Sequence, residues 1–325
     1  MRRPNFFIVG APKCATTALH AYLAQHPECF MSRVKEPAYF SRAHVRDDVR
    51  RISPFLQGEE AYLRLFSPAT DAHKIVGESS TCYMRGEKDL EELREFAGNP
   101  KIVAMVRDPV LLVSSYYHFL RFQGWEPLGT LREAWKIQDE RCAGRISAAA
   151  ANRPDSLAYR NVALLGHQVQ RLFRMFGRDN VSIIVVDDLR EHTDEVCRKL
   201  QEFLGLTYVP EIELERKNVA RTARVRVLDN LVKQNTGTVL RIKNWLKRVL
   251  GVRSLGVRRL IEQFNSSPID VSIDRDLRDE MREYFRRDVQ LLGQLLERDM
   301  IGLWGWTESD SRPANKQDSP SGVPR

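Results

Sequence analysis

Residues 8–20 of this 325-residue chain read IVGAPKCATTALH. A short apolar run from Phe6 to Val9 ends at Gly10. Pro12, Lys13 and the pair Thr16-Thr17 follow, and an apolar-periodic stretch (Ala18, Leu19, Tyr22, Leu23) begins. A loop between a strand and a helix start offers unpaired backbone N–H groups and the positive end of a helix dipole, which together suit an anion. The hydroxyls of Thr16 and Thr17 add donors, and Lys13 adds a mobile positive charge. The spacing is not that of the nucleotide loop GxxxxGK[ST]. The second glycine is missing, and Lys13 lies within the loop rather than directly before the hydroxyl residue. A magnesium-triphosphate cradle fits this poorly. Taken alone, the stretch also reads as an ordinary strand-to-helix turn with a surface lysine.

A second anchor lies downstream. Arg107-Asp108-Pro109 follows the strongest apolar run, KIVAMV at 101–106, and Ser115 comes two helical turns later. Arginine supplies a fork of donors matched to phosphate, and a serine adds one more. Two anion sites on neighbouring strand ends suit a ligand with two separated acidic groups.

The elements that carry these residues alternate. Strand-like runs at 5–10, 74–77, 101–106 and 181–186 are separated by helical patterns at 15–25, 111–122 and 187–203. Continuous β-branched runs between amphipathic helices predict an α/β fold, a parallel sheet flanked by helices on both faces. Ligands of such sheets bind beyond the carboxyl ends of the strands. Lys13, Glu78, Arg107-Asp108 and Asp187-Asp188 stand at those ends and would share one crevice. A single domain is expected over 1–306. Residues 125–155 and 232–263 read as insertions or surface helices. The first carries an Ala-rich piece from Ser147 to Ala151; the second carries eight Lys and Arg at amphipathic spacing. A further amphipathic helix is expected at 275–298, before Trp304 and Trp306. The polar residues 307–325 read as a disordered tail.

Net charge is +8 and the pI is near 9.3, which favours anionic partners. No nucleic-acid motif accompanies the charge. The basic segment 232–263 allows contact with a membrane surface, although such a pattern is also an ordinary solvated face. The five cysteines are scattered and contain no CxxC, so neither a disulfide framework nor a metal site is indicated, and reduced thiols in a cytoplasmic setting are expected. The opening MRRPNFFIVG holds only a strand-length apolar run, too short for a signal-peptide core, and no run is long enough to span a membrane.

PKxxTT after the first strand, KEPxxF about twenty residues on, and VxRDPxxxxxSSYYHF resemble the sulfotransferases that use 3′-phosphoadenosine 5′-phosphosulfate (PAPS), nearest to the bacterial and heparan-sulfate-type branches. The resemblance continues through SIIVVDDL, RKNxxR and EYFRRDVQLLGQLLERDMIGLW, and covers most of residues 5–306. It implies that Lys13, Cys14, Ala15, Thr16 and Thr17 wrap the 5′-phosphosulfate and that Arg107 and Ser115 hold the 3′-phosphate. Arg216, Lys217, Asn218 and Arg221 resemble a later cofactor-covering loop. Glu36, in Lys35-Glu36-Pro37-Ala38-Tyr39-Phe40, matches the glutamate that acts as base. Two positions depart from the heparan-type pattern. Ala38 stands where a histidine follows the base, and Gly77-Glu78-Ser79-Ser80 replaces a strand end that carries a lysine. Glu78 is therefore a second acid/base candidate, and His118 is read as a packing residue.

The function so implied is transfer of a sulfuryl group from PAPS, leaving PAP, to a hydroxyl or amine of a glycan or small-molecule acceptor. By analogy with phosphoryl transfer the path is loose and in line, and it needs no metal. Lys13 would follow the bridging oxygen, and Glu36 would take the acceptor's proton as the new bond forms. The alternative is a nucleotide or small-molecule kinase of related build, against which the missing GK[ST] argues.

Overall fold

The computed structural model describes residues 2–146, 154–210 and 273–306, together with the backbone of two short strands at 221–223 and 266–268. Five strands form one parallel sheet: β1 (Phe6–Gly10), β2 (Cys29–Met31), β3 (Ile75–Ser79), β4 (Lys101–Val106) and β5 (Val181–Val185). Their order is β2-β3-β1-β4-β5. Every residue of β1 and β3 is buried. A strand shielded on both faces reads as a continuous apolar run rather than an alternating one, which is why FFIVG and KIVAMV are legible as strands.

The helices are α1 (Thr16–Leu23), α2 (Asp47–Ile52), α3 (Glu59–Leu63), α4 (Glu87–Ala97), α5 (Pro109–Phe122), α6 (Leu131–Lys136), α7 (Gln138–Cys142), α8 (Tyr159–Ala163), α9 (Leu165–Phe176), α10 (Val186–Glu191), α11 (Thr193–Phe203), α12 (Arg275–Leu296) and α13 (Met300–Leu303). None of the described helices is long and apolar enough to cross a membrane. β6 (Arg221–Ala223) and β7 (Ser266–Pro268) pair antiparallel, and β6 runs beside α5.

The differences from the sequence pattern have local causes. β2 has three residues, CFM, too few for any periodicity to register. β3 extends to Ser79, two residues past the expected 77, so Glu78 lies inside the strand. The helix expected at 187–203 is broken at His192, which lies outside helical geometry. In the 125–155 segment α6 opens with a reciprocal Thr130–Glu133 capping box. The Ala-rich piece 147–151, the basic segment 232–263 and the tail 307–325 fall outside the described residues.

α12 supplies a second layer. It buries Leu277, Met281, Phe285, Val289 and Leu292, a stripe at helical spacing, and packs on α9 and α5. Behind it the chain ends of the sheet are tied down. Trp306 Nε1 donates to Asp108 Oδ2 at 3.1 Å, Trp304 Nε1 donates to Asp187 Oδ2 at 3.1 Å, and Arg298 pairs with Asp188 at 2.5 Å. Beside β1, Phe40 meets Phe7, Tyr83 and Phe96 edge-on at 6.0, 5.4 and 5.3 Å, and Tyr39 stacks on Tyr62 at 4.4 Å. This aromatic cluster fixes the loop after β2.

Candidate active site

The loop after β1 starts under tight packing. A Cβ on Gly10 would lie 1.9 Å from Met84 Sδ, so any larger residue there would have to push the buried Met84 side chain aside. The Ala11 N–H donates to the Met105 carbonyl at 2.9 Å, which moors the loop to β4. Lys13 and Ala15 then take left-handed φ angles of 63° and 60°. Ala15 is the N-cap of α1, with no side-chain acceptor over the helix start and no acid in the first turn. The first N–H groups of α1 therefore face the loop without a protein carboxylate to satisfy them.

Positive charge gathers at this point. Arg107 Nη1 donates to the Lys13 carbonyl at 3.1 Å, and Lys35 Nζ lies 3.5 Å from Thr16 Oγ1. Lys13 Nζ sits over the Phe119 ring at 4.9 Å. Phe119 is one turn beyond Ser115 on α5, so Ser115 and the Lys13 ammonium belong to one cleft. Among the described residues neither Lys13 nor Arg107 has an ion-pair partner. Burial lowers the Lys13 pKa, and repulsion from Arg107 and Lys35 lowers it further. Burial also lowers that of Arg107. Three cations crowded around a bare helix N-terminus are in place to hold an anion. Asp108 does not share that task. It is buried and accepts from Val110 N at 2.7 Å and Leu111 N at 3.3 Å as the N-cap of α5, with Pro109 at the first helical position. The Cys14 thiol is buried and pushed up to about 12 by that burial, and it donates to the Pro12 carbonyl at 3.5 Å. Only the backbone of Cys14 is available to a ligand.

Glu36 stands beside this cleft with its side chain 42 % exposed. Its backbone N–H donates to the Ser79 carbonyl at 2.8 Å, and Glu36 and Ala38 both take left-handed φ, 58° and 55°. The Glu36 carboxylate accepts from Thr81 N at 2.8 Å and Thr81 Oγ1 at 3.1 Å, and pairs with Lys35 at 2.7 Å. KEPxxF thus divides its labour: Lys35 reaches the anion loop, Glu36 is presented to solvent, and Phe40 is the anchor in the aromatic cluster. Lys35 was not singled out as a binding residue in the sequence, since its adjacent glutamate made it look like half of a surface pair. His20 was also missed. Its Nε2–H donates to the Ser32 carbonyl at 3.1 Å and its Nδ1 accepts from Ser79 Oγ at 2.7 Å, tying α1 to the ends of β2 and β3. Burial pushes it down to about 4, so it is a neutral brace.

Glu78 is placed differently. It is fully buried, and its carboxylate accepts from Tyr83 at 2.7 Å, Ser80 at 2.8 Å and Tyr62 at 3.3 Å. Ser80 Oγ in turn accepts from the Ala38 N–H at 3.0 Å. Glu78 therefore lies beneath the Glu36 loop rather than in the cleft. Burial pushes its carboxyl up to about 7 against the pull of the three hydroxyl donors. A carboxyl whose folded pKa lies above its unfolded value binds its proton more tightly in the fold, so stability falls as pH rises from about 4.5 through 7. The loss is on the order of 3 kcal/mol at 1.36 kcal/mol per pKa unit. Glu78→Gln should therefore flatten the fall in melting temperature between pH 5 and pH 8. An unchanged pH slope by calorimetry would count against this burial.

Arg216, Lys217 and Asn218 lie outside the described residues. Arg221 opens β6 by its backbone beside α5, and nothing further is described of it. Among the described residues no cluster of His, Cys, Asp and Glu is arranged to hold a metal ion, and the five cysteines are free thiols.

Comparison with known proteins gives a consistent picture. A family model described as "Sulfotransferase domain" matches residues 3–238. The chain is 31% identical over 118 residues to the membrane-associated sulfotransferase kil1 of Dictyostelium discoideum, covering 36% of this chain and 23% of that protein. It is 31% identical over 156 residues to human carbohydrate sulfotransferase 15, covering 36% and 27%. The chain thus spans about a quarter of the length of these curated relatives. Among solved structures, a sulfotransferase from Alicyclobacillus acidocaldarius superposes with a TM-score of 0.66 at 26% identity, over 94% of this chain and all of that one.

Proposed function

This chain belongs to the sulfotransferase domain family, and from that membership and the geometry of its cleft we propose that it moves a sulfuryl group from PAPS to a hydroxyl of a glycan or small-molecule acceptor. The kinase alternative is set aside, since the family matched is one of sulfotransferases. The observation that carries the reading is the bare N-terminus of α1, ringed by Lys13, Lys35 and Arg107 with no ion pair to Lys13 or Arg107 among the described residues.

PAPS, when bound, supplies the sulfuryl group and a leaving phosphate that needs no proton. The residues present fit it. Thr16, Thr17 and the N–H groups of α1 hold one phosphate-like end. Arg107 stands just past the end of β4 and Ser115 two turns into α5, and these two would hold a second phosphate. Glu36, exposed and oriented by Thr81, accepts the proton of the acceptor as its oxygen bonds to sulfur and the sulfur–bridging oxygen bond breaks. Lys13 neutralises the charge that grows on that bridging oxygen. Glu78 acts here as a positioning residue, holding Ser80 and through it the Ala38 N–H. A cytoplasmic, reducing setting remains part of the proposal and is supported by the scattered cysteines. Contact of 232–263 with a membrane surface is a separate reading that vesicle co-sedimentation tests.

Titration calorimetry with PAP is the direct test: tight binding in EDTA supports the reading, and binding only of magnesium-ATP overturns it. Arg107→Ala should weaken PAP binding at least several-fold with the melting temperature held. Unchanged affinity would move the 3′-phosphate elsewhere.

A further inference from the structure

Lys35 and Glu36 are neighbours in sequence, and neighbouring side chains ordinarily diverge. Here they converge. Glu36 takes a left-handed φ of 58°, and Lys35 Nζ lies 2.7 Å from Glu36 Oε1. A left-handed turn at a residue other than glycine is costly and persists only where its surroundings hold it. The Glu36 N–H is held by the Ser79 carbonyl, and its carboxylate by Thr81 N and Oγ1.

The same ammonium also faces the anion loop. Lys35 Nζ lies 3.5 Å from Oγ1 of Thr16, the first residue of α1, and its charge is felt at Lys13. Its side chain is 24 % exposed on a flexible four-carbon stem, so the head can shift between the two sides. The two sides are unequal. Glu36 is one carboxylate, already served by Thr81. A phosphosulfate at the N-terminus of α1 would bring more than one negative charge into a cluster of cations. The Glu36 carboxylate is also crowded. Lys35, Thr81 N and Thr81 Oγ1 occupy three of its roughly four lone-pair sites. A base must turn a free oxygen toward the proton it takes.

Resting on the sulfuryl-transfer reading, we propose that Lys35 is a shared cation which the donor draws off Glu36. In the free chain it closes one oxygen of the carboxylate. When an anion fills the N-terminus of α1, it turns to that anion and leaves Glu36 open to the acceptor's hydroxyl. The acceptor oxygen then bonds to sulfur, and the bond from sulfur to the bridging oxygen breaks with its electron pair left on the phosphate. The acceptor's proton goes to the Glu36 oxygen that Lys35 has vacated. Donor binding thus arms the base, and proton removal is confined to the state in which sulfur is present to receive the oxygen. Lys35 is a positioning residue for Glu36 and a contact for the donor.

The test is a double-mutant cycle on the full chain, read by calorimetry with PAP, and it needs no acceptor. Lys35→Met should weaken PAP about five-fold, the upper range for a partly exposed charge pair, with the melting temperature unchanged. Lys35→Arg keeps the charge and should hold PAP within about two-fold of the unaltered chain. Glu36→Gln should tighten PAP by about two- to three-fold, because the ammonium is no longer shared, and should do nothing in the Lys35→Met background. Simple repulsion between Glu36 and the ligand would tighten PAP equally in both backgrounds. Equal changes in the two backgrounds, none included, overturn the exchange. So does unchanged PAP affinity in Lys35→Met, or a loss in Lys35→Arg as large as that in Lys35→Met. Each of these results leaves sulfuryl transfer standing. Failure of the unaltered chain to bind PAP overturns the transfer reading itself.

Discussion

Lys13→Ala is expected to lower turnover by about 10²–10³ while PAP still binds and the protein melts where it did before. The Lys13 ammonium has no ion-pair partner among the described residues and rests over Phe119 at 4.9 Å. It shares its cleft with Arg107 and Lys35, and their repulsion together with burial makes its charge costly to keep there. Removing it relieves that repulsion, so no loss of stability should follow. On the proposed reading, ground-state binding should be kept by Arg107, Ser115 and the N-terminus of α1. What disappears is the group that meets charge developing during bond breakage, so the loss falls on kcat rather than on PAP affinity. Lys13→Arg should rescue poorly, because a planar fork does not replace a compact ammonium at a crowded loop. Single-turnover transfer from labelled PAPS gives kcat, and calorimetry gives the PAP dissociation constant. Unchanged turnover in Lys13→Ala would remove the residue from the chemistry.

Glu36→Gln is expected to lower kcat by about 10²–10⁴, the range for losing a general base, with the KM for PAPS held within about three-fold by the same argument. Glutamine keeps an oxygen for Thr81 N and Oγ1 but accepts no proton from the acceptor. It also loses the ion pair to Lys35. That pair is 42 % exposed on the Glu36 side, and exposed pairs contribute about 0–1 kcal/mol, so the fold should hold. A variant with full activity would send the search for the base elsewhere. Glu78 would not take its place without movement, since it is sealed beneath the loop under two tyrosines and Ser80.

The sheet was legible because its central strands are buried on both faces and so read as unbroken apolar runs. β2 was not, because three residues carry no period. The strand-to-helix loop was legible from Gly10, Lys13 and the threonines, as were the position of Arg107 just after β4 and that of Ser115 on α5. Lys35 and His20 were not, because their roles come from tertiary neighbours: Thr16 for the first, Ser79 and Ser32 for the second. Glu78 shows the limit from the other direction. Its place at a strand end made it look like a group facing the crevice. The strand runs on through Ser79, and alternation turns the carboxylate inward to Tyr62 and Tyr83. Pairing of Trp306 with Asp108 left no trace in sequence at all.

That last contact joins residues 198 positions apart. Contacts of such separation form late, because loop closure must precede them. The strand β4, the helix α5 and the anion loop are all made by the first 122 residues, yet Asp108 receives its third partner only after residue 306 has been synthesised. During translation the donor cleft therefore exists in outline, with Arg107 next to a cap that still lacks its tryptophan, before it exists in final form. The order of synthesis becomes a timer on this end of the sheet: the cap of α5 gains its tryptophan only once the α12 layer has been made and can close over the sheet.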